Sequence, residues 1–262
     1  MRAIWTGAIS FGLVYFPVKL FNASDEQSLE FNLLRKGDLC PIRYARVCEN
    51  TGEEVPYEDI VRGYEYEAGR YVILEEEDFR RASVRNTHVI DILSFVDMAD
   101  VDPKYITKPF FLEPAPGGEK AYALLREALK KSGKAGLARF MLRTREHLGL
   151  VTADANVIVL NQMRFATELH QSDELTLPEP GEVSPRELDL AVRLINHLSE
   201  PWAPEQIRDT YVEDLQRIIQ HKLQGQEIDA EQVEPIPMAA SDLFNQLNES
   251  IQQAKEKGNR KR

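Results

Sequence analysis

The feature that most constrains the fold is a 35-residue stretch, CPIRYARVCENTGEEVPYEDIVRGYEYEAGRYVIL (residues 40–74), in which strand-like alternation and turn chemistry each occur twice. Tyr44 and Arg46 alternate with Ala45 and Val47, Glu49 to Gly52 supplies a turn, and Glu53 to Tyr57 can run back beside the first strand. A second hairpin places Tyr64 and Tyr66 before Ala68-Gly69 and Tyr71 to Leu74 after it. An arm of about eight residues spans roughly 27 Å at a rise of about 3.3 Å per residue. The stretch is too long and too polar for a connection inside a compact core. It predicts an arm that reaches around something.

The other 227 residues are rich enough in apolar side chains, at 43% for the whole chain of 262, to bury a sizeable core in one domain or two. Two cysteines, Cys40 and Cys48, make neither a disulfide framework nor a four-ligand metal site, and five scattered histidines complete none; the expectation is a reducing, cytoplasmic setting. The uncharged run between Arg2 and Lys19 is broken by Thr6, Gly7, Ser10, Gly12 and Pro17 and is followed by no A-x-A site, so it does not read as a secretory leader. No stretch approaches the ~20 apolar residues of a membrane span. The net charge of −11, from 32 basic and 43 acidic residues, argues against indiscriminate nucleic-acid binding. Its distribution is uneven: residues 49–78 hold eleven acids and two bases, whereas residues 120–147 hold eight bases and two acids.

Residues 2–21 are aromatic and β-branched, punctuated by Gly7, Gly12 and Pro17, and predict two short strands that begin a barrel. Residues 28–47 turn basic, with Arg35, Lys36, Arg43 and Arg46 against Glu30 and Asp38. On an extended strand Tyr44 and Arg46 share a face and Arg43 lies on the other. Two further strands are expected within residues 87–113, around a polar loop from Asp97 to Pro103. Tyr122, Leu125, Ala128 and Leu129 recur at helical spacing from Glu119 to Ser132, with Lys120, Arg126, Lys130 and Lys131 on other faces and Gly133 and Gly136 as the stop.

GLARFMLRTREHL (residues 136–148) is the most informative piece for function. As one strand from Ala138 to His147 it would direct Arg139, Arg143 and Arg145 to one face, about 7 and 13 Å apart, a row able to follow a phosphate backbone. Ion pairing of the same face with Glu146 and other acids is the competing reading. Residues 155–160, ANVIVL, predict a buried strand that completes the barrel. Ser184-Pro185-Arg186-Glu187 is a capping box, opening a helix to about Ser199 with Leu188, Ala191, Val192, Ile195 and Leu198 as its buried stripe. A second helix is expected from Pro204 to Gln224, with Ile207, Tyr211, Leu215, Ile218 and Ile219 packed along one side and Gly225 as its stop. Residues 226–240 read as a proline-containing linker. Residues 241–262 read as a short helix with Leu243, Phe244, Leu247 and Ile251 on one face, followed by a basic tail.

The motifs RAIWTGAISFGLVYFPVKL, IRYARVC with GEEV and DIVRGYEYE, KAYALLREAL, ARFMLRTREHL, and W-x-P-E with RDTYVEDL together resemble the bacterial Ku proteins of non-homologous end joining, over about residues 1–225. The resemblance implies an α+β, mostly β fold: a barrel to about residue 165, the arm at 40–74, and a helical region at 184–225. In that family the arm interlocks with a partner's to form a ring threaded by a DNA end. The start directly at the barrel is similar to the homodimeric bacterial form. Some relatives carry Cys-x-x-Cys at the arm's turn; here Thr51 stands three residues after Cys48, so no zinc site is expected.

The family reading implies double-stranded DNA ends, a second copy of the chain and an ATP-dependent multidomain DNA ligase as partners, with no cofactor and a cytoplasmic, nucleoid-associated location. The expected DNA-contacting bases are Arg35, Lys36, Arg43, Arg46 and Arg62 near and within the arm, and Lys130, Lys131, Lys134, Arg139, Arg143 and Arg145 after it. The ligase is expected at Leu243, Phe244, Leu247 and Ile251. Two alternatives stand beside the clamp: a lysine-dependent abasic-site lyase, and a scaffold that binds only protein. No G-x-x-x-x-G-K-[ST] or H-E-x-x-H motif occurs, which leaves nucleotide hydrolysis and zinc proteolysis without support.

Overall fold

The computed structural model describes residues 1–25, 29–82, 88–143, 145–178 and 183–225, with Arg80 described in its backbone alone. The chain divides into two units, Met1–Gln171 and a second that begins at Ser172.

The first unit opens with β1 (Trp5–Phe11) and β2 (Val14–Asn22), an antiparallel pair turning at Gly12, whose φ of 58° lies in the left-handed region that glycine enters freely. Gly7 and Pro17, expected as breaks, sit inside the strands. Pro17 is tolerated because its carbonyl already accepts from Ala115 N–H at 3.0 Å, beyond the end of the next ladder, where a missing N–H leaves no ladder bond unmade.

The arm follows. Its second hairpin forms as expected, β3 (Arg62–Glu67) against β4 (Arg70–Leu74), turning at Gly69 with φ 75°. Its first does not form a regular ladder. Only the single bridges Leu34–Pro41 and Val47–Glu54 occur, with hydrogen bonds from Cys48 N to Glu53 O and from Val55 N to Arg46 O, both 2.8 Å. The turn at Gly52 is real, but Pro41 and Pro56 lack donors at both ends and shorten what a ladder can bond. After β4 the acidic run Glu75–Asp78 is exposed to solvent and opens a helix, α1 (Glu76–Ala82). The Asp78 carboxylate accepts from Glu75 N–H at 3.0 Å, and three acids occupy the positive end of the helix dipole.

The barrel resumes with β5 (Val89–Asp97), β6 (Ile106–Pro114), α2 (Glu119–Ser132), β7 (Lys134–Leu142), β8 (Arg145–Asp154) and β9 (Val157–Met163). The strand order is β1-β2-β6-β9-β8-β7-β5, and a parallel β5–β1 pair closes it. The strand expected to complete the barrel, β9, is its last in sequence and sits between β6 and β8, while the parallel β5–β1 pair closes the ring of strands. Ile9, Phe16, Val18, Leu20, Ile90, Phe110, Leu112, Ile158 and Leu160 fill the interior from alternate positions of their strands.

Helix α2 plugs one mouth of this barrel with Tyr122, Leu125 and Leu129, all buried. Gly133, at φ 67°, ends the helix and returns its N–H to Leu129 O at 3.0 Å. Gly136, expected to help stop it, lies within β7, where an added Cβ would meet Ile92 at 3.1 Å.

In the second unit α3 (Pro185–Leu198) begins with the expected capping box, Glu187 N–H donating to Ser184 Oγ at 3.3 Å. Helix α4 (Thr210–Leu223) starts later than Pro204, capped by Asp209 through Val212 N–H at 3.1 Å, because the 3₁₀ turn at Pro204–Gln206 gives way to extended backbone at Ile207. Neither helix buries a residue. The stripe Leu188, Val192, Ile195 and Leu198 is exposed, as are Ile207, Tyr211 and Ile218. Periodicity shows that a face wants cover, but not that the same chain supplies it.

Candidate nucleic-acid interface

The arginine row expected on one strand is instead split by a hairpin. Strand β7 ends at Leu142, Arg143 turns with φ 61°, and β8 returns from Arg145, so that Leu142 faces Arg145 and Arg139 faces Leu148. Register therefore places Arg143 at the tip, Arg145 at the root of the returning strand, and Arg139 three pairs back along β7. The three remain neighbours, though on two strands. Arg139 lies 4.0 Å from Glu146 and Arg145 only 2.7 Å from Glu168, so the competing ion-pair reading holds for both in the free chain. The Phe165 N–H and the Arg145 guanidinium hold the Glu168 carboxyl below the usual carboxylate range. These pairs are exposed, where solvent and salt screen them, so a phosphate can displace them. Arg143 is exposed and no carboxylate bonds it among the described residues.

Lys130, Lys131 and Lys134 gather at the other end of β7, where α2 passes through Gly133 into the strand. Lys134 bonds Asp97 at 2.9 Å and Lys130 lies 3.8 Å from Glu127, whereas Lys131 is exposed. Nine strand steps of about 3.3 Å put this group roughly 30 Å from Arg143. The six bases after the arm thus form two clusters, not one stripe.

In the arm, Arg35 is clamped bidentately to Asp38 through its Nε at 2.8 Å and a second, shorter bond. Arg46 lies over the Tyr57 ring at 5.1 Å, and Arg62 lies over Phe79 at 5.0 Å and 3.6 Å from Glu76. Lys36 and Arg43 are exposed. Apolar side chains are uncovered along the same segment, with Tyr44 at 88% exposure and Phe31 at 64%, accompanied by Ile42, Tyr57, Tyr64 and Tyr71. So many uncovered aromatics in one continuous segment mark an interaction surface.

Sequence reasoning misses Arg2, Lys108 and His147, which the ladder brings toward Arg143 at the barrel mouth opposite α2. No linear signal joins them, because they stand at the ends of strands remote in sequence. Leu243, Phe244, Leu247 and Ile251 lie outside the described residues. No cluster of three or more metal-ligating side chains occurs among the described residues, and no helix there is long and apolar enough to cross a membrane.

A family model described as the Ku70/Ku80 beta-barrel domain matches residues 10–190. The chain belongs to the Ku family. Most of the barrel, the whole arm and the start of α3 fall within the matched region, in agreement with the Ku-type α+β fold. Bacterial relatives named Non-homologous end joining protein Ku include one from Opitutus terrae, 45% identical over 226 residues that cover 86% of this chain and 81% of that protein. One from Cupriavidus necator is 44% identical over 227 residues, 85% of this chain and 67% of the relative. One from Coxiella burnetii is 38% identical over 259 residues, covering 96% and 94%. With the family known, the barrel is the Ku scaffold, and the basic hairpin and the exposed arm are the parts of it that remain to be assigned a task.

Proposed function

We propose that this Ku-family chain is a sequence-independent binder of double-stranded DNA ends in non-homologous end joining, acting as a homodimeric ring and without a catalytic group. The observation that carries the reading is the arm, residues 40–74, which together with the segment just before it leaves aromatic and aliphatic side chains uncovered along its length in the single chain. A second copy related by a two-fold axis would cover one arm with the other and double each basic cluster. The six-residue β3 strand alone spans roughly 20 Å at about 3.3 Å per residue, more than the roughly 12 Å width of a DNA major groove, so a pair of arms would pass around a duplex. Arginine and lysine would meet phosphates, which are the same for every sequence. Topology would then supply end specificity, since a closed ring loads only where a duplex terminates, and the excess of acid elsewhere would limit binding along intact DNA.

The ligase would be an ATP-dependent multidomain enzyme met by residues 241–262, and the working location the bacterial nucleoid. Sedimentation at micromolar concentration tests the dimer: a species of twice the 30.0 kDa chain mass is expected, and a monomer refutes it. Removal of residues 238–262 is expected to leave DNA-end binding intact and to abolish ligase stimulation. Stimulation by the shortened chain at the full-length level would refute the assignment of Leu243, Phe244, Leu247 and Ile251.

A further inference from the structure

Seven strands end together at the barrel mouth that α2 does not fill: the starts of β1, β5, β6 and β8 and the ends of β2, β7 and β9. They enclose a cavity of about 930 Å³. That is many times the room one water needs and falls in the range of pockets that take organic ligands, for which barrel mouths are a recurrent place. Arg2, Lys108 and Arg143 line it, and among the described residues no carboxylate does. In a chain of net charge −11 this is a local reversal of sign. It contrasts with the barrel bases Lys19, Arg126, Lys134 and Arg145, each held by an acid at 2.7 to 3.3 Å. Cations gathered in a concavity with apolar walls hold a strong positive potential, because little water or counter-charge screens them.

The walls are aromatic. The Trp5 and His88 rings stack with centroids 6.4 Å apart and an interplanar angle of 27°, and the Lys108 ammonium sits 5.7 Å over the Phe110 ring. On the floor Gln162 Nε2 lies 3.1 Å from His147 Nδ1; with the amide donating, the imidazole proton sits on Nε2 as an uncharged donor. Inorganic phosphate alone would leave most of this volume empty. A ligand that fits both the charge and the walls carries a phosphate joined to a flat ring.

We propose that the open barrel mouth binds a nucleotide phosphomonoester, with Arg2, Lys108 and Arg143 on the phosphate and the Trp5 and His88 rings beside the base. The phosphate takes charge-assisted hydrogen bonds and the base takes stacking. The site lies within one chain, so it does not need the ring of the preceding reading. The same chemistry is offered by a free nucleotide and by the phosphorylated terminus of a DNA strand.

Two tryptophans, Trp5 and Trp202, are present, so Trp202→Phe in the full chain leaves Trp5 as the reporter. Titration with deoxyadenosine 5′-monophosphate is expected to change its fluorescence saturably, with Kd on the order of 0.1 mM. Deoxyadenosine is expected to give no saturable change and inorganic phosphate to bind about tenfold more weakly. Arg2→Gln with Lys108→Gln should weaken nucleotide binding about tenfold or more, with an unchanged circular dichroism melt because both side chains are exposed. Equal responses to the nucleoside and its phosphate, or a folded double variant that binds as the parent does, would overturn the proposal.

Short blunt duplexes carrying 5′-phosphate or 5′-hydroxyl ends separate the two sources. A preference for the phosphorylated end identifies a strand terminus, whereas no preference beside a saturable mononucleotide identifies a free nucleotide. No phosphate dependence in either experiment overturns the site. Failure of the ring reading would remove retention of both duplexes and leave the mononucleotide titration as it is.

Discussion

Replacing Tyr122 by phenylalanine tests how α2 holds the barrel closed. The Tyr122 hydroxyl donates to Leu112 O at 2.7 Å and accepts from Ile158 N–H at 2.8 Å, and those two residues are ladder partners on β6 and β9. One oxygen thus stands between two backbone groups where the strands part. Burial raises the pKa of this phenol, so it keeps its proton at neutral pH. The ring of phenylalanine would fill the same space, so no cavity enters the reckoning. What disappears is two hydrogen bonds of about 1 kcal/mol net each, with a donor and an acceptor left buried at about 1–3 kcal/mol each if neither finds water. An expected loss of about 2–4 kcal/mol follows, or a fall in Tm on the order of 10 °C for a unit of this size. Urea unfolding followed by circular dichroism gives the first quantity and a thermal melt the second. A loss below about 0.5 kcal/mol would refute the reasoning, because Leu112 and Ile158 would then pair directly without the hydroxyl.

Gly149→Ala places a Cβ 2.7 Å from Leu160 Cδ1 and 3.1 Å from the Phe140 ring, and overpacking there should cost about 1–3 kcal/mol, readable in the same melt. Burial, aided by Arg145, lowers the pKa of His147, so the folded state takes up its proton less readily than the unfolded one. The resulting stability is fully present above the unfolded value of about 6.5 and is lost as pH falls through the folded value; a His147→Gln variant should show a flatter decline in Tm between about pH 7 and 5. Ser184→Ala removes the acceptor for Glu187 N–H and should lower the stability of α3 by about 1 kcal/mol, measured by helical ellipticity against temperature. Arg145→Gln should weaken binding to linear DNA uniformly across sequences and reduce the slope of log K against log salt by about 1 for each phosphate that is no longer neutralised; an unchanged slope places Arg145 away from DNA.

Local signals are legible where chemistry is local. The Ser184 capping box, the left-handed stop at Gly133 and the Ala68-Gly69 turn each stand where the sequence places them, since a cap or a tight turn is decided by a few adjacent residues. The arginine row misleads because its spacing is local too. Arg139, Arg143 and Arg145 have perfect alternation for one strand, but Arg143 adopts a positive φ and the chain doubles back, a choice made by the β7–β8 and β8–β9 ladders rather than by spacing. The apolar stripes of α3 and α4 are amphipathic as their spacing indicates, yet they are not buried, since period 3.6 carries no information about which chain supplies the cover. The barrel mouth is not legible at all: Arg2, Lys108 and Arg143 meet only through seven strand pairings, of which the closing one is parallel and long in sequence.

The proposed function is topological at its centre: a DNA end would thread a closed ring of two chains. It is tested most directly by loading the protein on linear duplex, sealing the DNA into a covalently closed circle, and then raising the salt until phosphate contacts are screened. The ring predicts that protein remains on the sealed circles while it leaves linear duplex and never loads on circles sealed beforehand. Equal loss from sealed and linear DNA, or loading on circles already closed, would contradict it.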